Sequence, residues 1–280
     1  MKEIFVYSSF IALNVIVNQI NWRVDNLIIG TLTNSKTLGI FNIGSQLLFS
    51  FIAFASAISN IFTPKIVQMV KQEVSKTVLM AQLCIIGRYQ MIVLGYVFVV
   101  FAAFGELFIQ LFVGAEFSQA YWVALISMVP LMFVLAQTST NAVLQGLNKH
   151  KIRSLLLLVT AMANIIISII LVKKIGMVGA SWGTAFALFV GELLMVNVYL
   201  YRVIGLNMWH LYREFLRYSI PAILLTLMTA FLVSDYVSAS WFGLFIACGL
   251  TGFIYAVFSY FISLVPSERQ KLNRFVFRRS

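Results

Sequence analysis

Apolar residues come along this chain in blocks of roughly twenty or more, broken by short polar gaps. As a helix rising about 1.5 Å per residue, a block of that length crosses the hydrocarbon of a bilayer. The pattern predicts about eight spanning helices, over roughly 4–32, 38–62, 80–113, 119–146, 151–173, 177–202, 215–234 and 239–264. Lipid offers no hydrogen bonds to backbone groups, so such runs must be helical. A membrane barrel would instead show alternating strands of about ten residues.

Finer periodicity adds detail to this all-α picture. In TPKIVQMVKQEVSKT, Ile66, Val67, Val70 and Val74 share one face opposite Lys71, Gln72 and Lys76; in NMWHLYREFLR, Met208, Leu211, Tyr212 and Phe215 do the same. Both stretches predict connecting helices that lie in the membrane interface. Gly176, Gly179 and Gly183 contain a GxxxG spacing that lets two backbones approach closely. Pro130 removes a backbone donor within the fourth span and predicts a kink there.

Composition agrees with the pattern. Of 280 residues, 61% are hydrophobic and 10% charged, and the mean hydropathy is +0.95. That leaves too little polar surface for a soluble globule. The net charge of +11 could suggest nucleic acid, but its distribution argues against that partner. Taking the N-terminal side of the predicted topology as one face, fifteen Lys and Arg fall on that face and three (Lys36, Lys173 and Lys174) on the other, with Arg23 and Arg88 inside spans. Positive charge is retained in the cytoplasm, so both termini are expected there, beside anionic lipid headgroups. Cys84 and Cys248 sit in separate spans and are expected as buried thiols.

The opening span is unusual. In NVIVNQINWRVDNLIIG, Asn14, Asn18, Asn21 and Asp25 follow helical spacing, and Gln19, Arg23 and Asn26 form an adjoining stripe. A charge facing lipid costs at least about 2.5–3.5 kcal/mol. This broad face is therefore expected to border a hydrated cavity, with Arg23 able to grip phosphate oxygens in bidentate fashion. The competing reading pairs Arg23 and Asp25 with other helices for structure alone. Arg88, nearer the cytoplasmic end of its span, is a second candidate for an anionic substrate, or else reaches the headgroups. Glu192, near the middle of the sixth span, suits ion coupling alongside Asp25 if unpaired; paired with Arg23 or Arg88 it would neutralise them. His150 and His210 lie in connectors without metal-ligand spacing. No phosphate loop, nucleophile–base pair or metal cluster is legible, so neither an enzyme nor a cofactor is expected.

Four stretches in order carry a family likeness: DNLIIGTLTNSKTLGIFNIGSQL from Asp25, NIFTPKI from Asn60, FIQLFVGAEFSQAYWVALI from Phe108, and NAVLQGLNKHKIRSLLLLVTAMANIIISIILVKKIGMVGASWGTAFAL from Asn141. With these the chain resembles the C-terminal half of the bacterial polysaccharide transporters, oligosaccharide-lipid flippases of the multidrug/oligosaccharidyl-lipid/polysaccharide exporter superfamily. The resemblance implies a six-helix lobe over 1–204, an interfacial helix and two additional spans over 205–264, and a basic cytoplasmic tail over 265–280. It also implies that the opening helix borders the central cavity, where basic residues meet the pyrophosphate and sugar of an undecaprenyl-linked substrate, in the bacterial inner membrane. The family's first lobe has no counterpart in this sequence. Either the sequence is a fragment or a split gene product, or a separate N-terminal lobe supplies the other half as a partner, with other glycan assembly proteins as further candidates; in each case the chain alone is expected to be inactive. Within the superfamily the rivals are a multidrug extruder and a peptidoglycan-precursor flippase. A membrane polymerase or ligase is disfavoured by loops of only a few residues on the far face, and a pure scaffold by the Arg23 and Asp25 face.

The charge asymmetry makes a direct prediction. In intact cells, cysteines substituted for Lys36 and Glu116 should react with an impermeant maleimide and one substituted for His150 should not; the opposite labelling pattern would invert the topology.

Overall fold

The computed structural model describes residues 23–266 and 268–270, which are helical throughout, with no strand among them. The helices are α1 (23–32), α2 (Ser35–Lys71), α3 (Lys76–Val113), α4 (Ala120–Ala136), α5 (Ser139–Gly146), α6 (His150–Ile175), α7 (Val178–Ile204), α8 (Met208–Ser234) and α9 (Trp241–Ser263). Six of these are long and apolar enough to span a membrane, or seven if the bent pair α4–α5 is one span. These match seven of the predicted spans in order. Of the first predicted span only the end, α1, lies within the described residues.

Local chemistry sets the helix starts. Asn34, Ser75, Asn207 and Ser240 each accept a hydrogen bond from a backbone N–H three residues on, at 2.8, 3.5, 3.1 and 3.1 Å, capping α2, α3, α8 and α9. Helices α6 and α7 end at Gly176 and Gly205, whose φ angles of +70° and +78° suit glycine alone at low cost.

Three expectations are corrected. The stretch TPKIVQMVK is not a separate interfacial helix but the end of α2, which runs on through Pro64. Ile66 there is fully buried, and Val70 packs where Gly146 lacks a side chain. Likewise NMWHLYREFLR is the opening of α8, with Leu211 and Phe215 buried and the Phe215 ring lying over Gly87 of α3. Amphipathic periodicity records a buried face without telling protein from membrane surface. The sharp bend in the fourth span, 47°, falls at Gln137 and Thr138 between α4 and α5 rather than at Pro130.

Contacts across the bundle sort by the predicted faces. Lys36 pairs with Glu116 at 2.7 Å at one end. At the other, Lys76 lies against Gly205. Helix α3 runs through the middle, meeting α2 and α4 on one side and α8 and α9 on the other.

The predicted close approach of α6 and α7 is present and longer than its GxxxG signature. A Cβ on Gly179 would lie 2.4 Å from the Leu171 carbonyl carbon, one on Gly183 2.3 Å from Ser168 Oγ, and one on Gly191 2.7 Å from Thr160 Oγ1. The smooth side at Gly179, Gly183 and Gly191 thus lets backbones touch where larger side chains would hold them apart.

Gly179→Val should therefore lower the thermal midpoint of the detergent-solubilised protein, at a cost of about 1–3 kcal/mol from overpacking against backbone. Gly249→Ala, whose Cβ meets nothing within 4 Å, should be neutral or slightly stabilising. Equal behaviour of the two variants would refute the close-approach account.

Candidate functional site

Between α2, α4, α5, α6 and α7 lies a cavity of about 420 Å³. Its wall is mixed: Ile52, Leu131, Val134, Leu135, Leu157 and Leu188 supply apolar surface, and Ser56, Thr138, Asn141, Thr160, Asn164 and Thr184 supply polar atoms. The charges in the lining are Arg153 from α6 and Glu192 from α7, joined by an ion pair between Arg153 Nη2 and Glu192 Oε1. Their side chains are 21% and 12% exposed, so the pair is neither open to bulk solvent nor sealed off.

Two departures from regular helix build this place. The break between α4 and α5 swings α5 away from the α4 axis, and Thr138 and Asn141 line the cavity on that far side. Leu188–Val196 within α7 is π-helical, and Glu192 lies inside that segment. A π turn carries an extra residue per turn and re-aims side chains, which is why such segments recur at sites. The two irregularities are stitched together: Gln137 Nε2 donates to the Glu192 carbonyl at 3.3 Å, Tyr212 Oη donates to Gln137 Oε1 at 2.6 Å, and Asn197 Nδ2 donates to Tyr212 Oη at 2.7 Å. Helix α8 thereby braces the bend in α4–α5 against the π turn of α7.

Thr184 connects the cavity to Asp25. Its hydroxyl donates to Asp25 Oδ2 at 2.5 Å, and Asp25 is 4% exposed. The second oxygen, Oδ1, has no hydrogen-bond partner among the described residues, and no described cation pairs with Asp25. A smaller void of about 20 Å³ beside it is bordered by Ser45, Ser127, Ser181 and Thr184, a shell of hydroxyls around one carboxylate. Arg23, one turn's edge away on α1, is exposed, and Asn26 is half-buried with Oδ1 unpartnered. Asn14, Asn18 and Asn21 lie outside the described residues.

Two candidates stand elsewhere than the sequence suggested. Arg88 does not line the cavity; it is buried, with Nη1 2.8 Å from Glu214 Oε2 and Nη2 2.5 Å from Glu268 Oε1. Its guanidinium lies 5.3 Å from the centroid of the Tyr218 ring. One cation thus fastens α3 to the start of α8 and to the segment after α9, which gives it a structural job and leaves it no free face for substrate. Glu192 is paired, but with Arg153 and not with Arg23 or Arg88. Arg153 reads from sequence as one more basic residue in a cytoplasmic connector; only the tertiary packing brings it to Glu192, 39 residues on.

Among the described residues no group of His, Cys, Asp and Glu converges on a metal position, and Cys84 and Cys248 are free thiols on α3 and α9. What the cavity offers is a guanidinium, a carboxylate and amide and hydroxyl groups on an apolar wall: a binding surface for a polar, anion-bearing amphiphile.

Fold and cavity together define a multi-pass helical membrane protein with a polar interior site. A family model described as "Polysaccharide biosynthesis protein" matches residues 1–124. The "Capsular polysaccharide biosynthesis protein CapF" of Staphylococcus aureus is 25% identical over 204 residues, 72% of this chain and 50% of that protein. The chain thus spans about half the length of the curated relative it matches. No solved structure matches it. Both matches support the polysaccharide transporter family that the quoted motifs resemble.

The Arg88 cluster can be tested by stability. Arg88→Ala strands two half-buried carboxylates and should cost up to about 3 kcal/mol, the lower end of the range for a broken buried pair, seen as a lower thermal midpoint and poor recovery from membranes. The triple variant Arg88→Met, Glu214→Gln, Glu268→Gln should regain most of that loss. An Arg88→Ala protein as stable as the parent would deny the cluster its structural role.

Proposed function

We propose that this chain is one lobe of a carrier that moves undecaprenyl-pyrophosphate-linked oligosaccharide across the bacterial inner membrane for capsule, O-antigen or exopolysaccharide assembly. The observation that carries this reading is the Arg153–Glu192 pair set in the wall of a 420 Å³ polar cavity. A guanidinium holds phosphate oxygens in bidentate fashion as readily as it holds a carboxylate. A pyrophosphate entering the cavity can therefore take Glu192's place on Arg153, while Ser56, Asn141, Thr160 and Asn164 offer hydrogen bonds to sugar hydroxyls. Exchange of partners gives the substrate a differential contact with the two states of the lobe, which any ligand-driven change requires. Arg153 thus takes the role that sequence alone suggested for Arg23, whose exposed position on α1 suits a second contact.

Alternating access needs two bodies that rock about a shared site. We read this chain as one of them, acting with a second lobe in the inner membrane, both termini cytoplasmic. Asp25 is the carboxylate suited to the driving ion. It is buried with no cationic partner among the described residues, a state costly for a bare carboxylate, and it touches the cavity through Thr184. Glu192, already matched with Arg153, is less suited to that task.

A multidrug extruder is the second reading of the same fold. Cationic drugs favour acidic and aromatic walls, whereas the described residues of this lining include no aromatic and balance their one carboxylate with a guanidinium. The lining therefore favours an anionic cargo.

In cells carrying the complete transport machinery, Arg153→Ala should reduce surface glycan about ten- to hundredfold, the loss expected for one charged hydrogen-bonding partner. Because Arg153→Ala leaves Glu192 without its partner, membrane abundance is measured by immunoblot on the same cells. Arg153→Met with Glu192→Gln, which strands no carboxylate, is compared beside it, and glycan per unit of membrane protein should stay low in both. Surface glycan at parental level with Arg153→Ala in place, or a fall in abundance that matches the loss of glycan, would defeat this assignment.

A further inference from the structure

On the positively charged face, sharing no lining residue with the cavity, the start of α3, the turn after α7 and the start of α8 surround a cleft of about 380 Å³. Among the described residues its polar lining is Lys76, Thr77, Asn207 and His210, its apolar lining includes Met80, Ala81 and Leu206, and no acidic residue contributes to it. A void holding one water needs only about 10–15 Å³, so this cleft has room for a polyatomic group. Lys76 makes no ion pair with any described residue, although carboxylates elsewhere in the bundle draw Arg88, Arg153 and Lys36 into pairs.

The floor of the cleft is shaped around that ammonium. Gly205 has a φ of +78°, and a Cβ there would lie 2.5 Å from Lys76 Nζ. A side chain at 205 would make the Lys76 ammonium shift from this position. On the helix ends that flank this turn, Trp209 is 74% exposed, and Arg202 and Arg213 are exposed as well. An exposed indole flanked by arginines, at the turn between two spans, is the composition of a membrane–water boundary.

We propose that this cleft is a binding site for the phosphate-bearing headgroup of an acidic phospholipid from the leaflet on the positively charged face. Lys76 and His210 meet the phosphate, Thr77 and Asn207 supply hydrogen-bonding groups beside it, and exposed Ala81 with the accessible edge of Met80 meets the glycerol and the upper acyl chain. This apolar side distinguishes a lipid from free phosphate, which would gain nothing from Ala81 or Met80. The site is separate from the cavity of Arg153 and does not depend on what that cavity carries.

The full chain in neutral detergent tests this by native mass spectrometry with phosphatidylglycerol, phosphatidylcholine or inorganic phosphate as the added probe. Phosphatidylglycerol should be retained at a discrete stoichiometry. Lys76→Gln should weaken that binding about fivefold, the value of one cation near an anionic headgroup. Lys65→Gln, which removes an exposed lysine bonded to Gln82 on the same face, should bind as the parent does. Should Lys76→Gln fail to fold, His210→Gln, on an exposed side chain, carries the same comparison with the same expected direction. Undiminished phosphatidylglycerol binding in the cleft variants, equal retention of phosphatidylcholine, or inorganic phosphate binding as tightly as the lipid would each overturn the proposal.

Discussion

The structure is governed by what hydrocarbon does to a lone charge. In water an arginine or glutamate needs no partner; inside the bundle each must find one, or its burial costs several kcal/mol. The described residues answer this twice. Arg88 takes two carboxylates, Glu214 and Glu268, from elements 126 and 180 residues further along the chain. Arg153 takes one, Glu192, and leaves its pair half-open on a cavity. The first arrangement fixes α3, α8 and the segment after α9 to one another. The second keeps a guanidinium where a different anion could reach it. Asp25 is the exception, a buried carboxylate that meets hydroxyls and no cation among the described residues. An exception to so strong a rule is where a transported or driving ion has the most to gain.

Irregular backbone and small side chains place these charges. A straight α4–α5 span would carry Thr138 and Asn141 along the axis of α4, and a regular α-helical turn at 188–196 would point Glu192 differently. The chain instead bends at Gln137 and widens to a π turn across the gap, and Gln137, Tyr212 and Asn197 satisfy the polar groups this exposes. The α6–α7 stripe at Gly179, Gly183 and Gly191 brings Arg153 and Glu192 onto facing helices packed backbone to backbone. Site and packing are thus one feature: filling the stripe would move the ion pair as well as loosen the bundle.

Much of the fold was legible because hydrophobic block length is a one-dimensional property. Seven predicted spans recur in order, and both long amphipathic connectors are helical, though they extend α2 and α8 rather than lie apart. The bend was misplaced because Pro130 is a local signal whereas Gln137 is held by partners on α7 and α8. The site was legible only in part. Asp25 and Glu192 stood out as charges within apolar runs, and Asp25 does reach the cavity's edge through Thr184. Arg153 escaped notice because, three residues into α6 and beside Lys149 and Lys151, it has the sequence surroundings of a solvated connector. Arg88 misled for the opposite reason: a charge inside a span advertises function, and nothing local reveals that Glu214 and Glu268 fold back upon it. The face of Asn14, Asn18 and Asn21 falls outside the described residues.

On the carrier function proposed above, the two arginine clusters would divide the labour. A guanidinium held by two carboxylates carries a surplus of negative charge, so a phosphate approaching Arg88 would meet repulsion as well as attraction. Arg153, with a single carboxylate, is electrically neutral as a pair and repels an anion far less. Moreover Glu192 lies in a π turn, a backbone form that can relax toward regular helix by shifting one residue along the ladder. Release of Glu192 by an incoming anion would remove one restraint on that turn, and the Gln137–Tyr212–Asn197 bridge would carry the strain to the α4–α5 bend and to α8. Binding chemistry and hinge geometry are then the same set of residues, as coupling through a discrete two-state element requires.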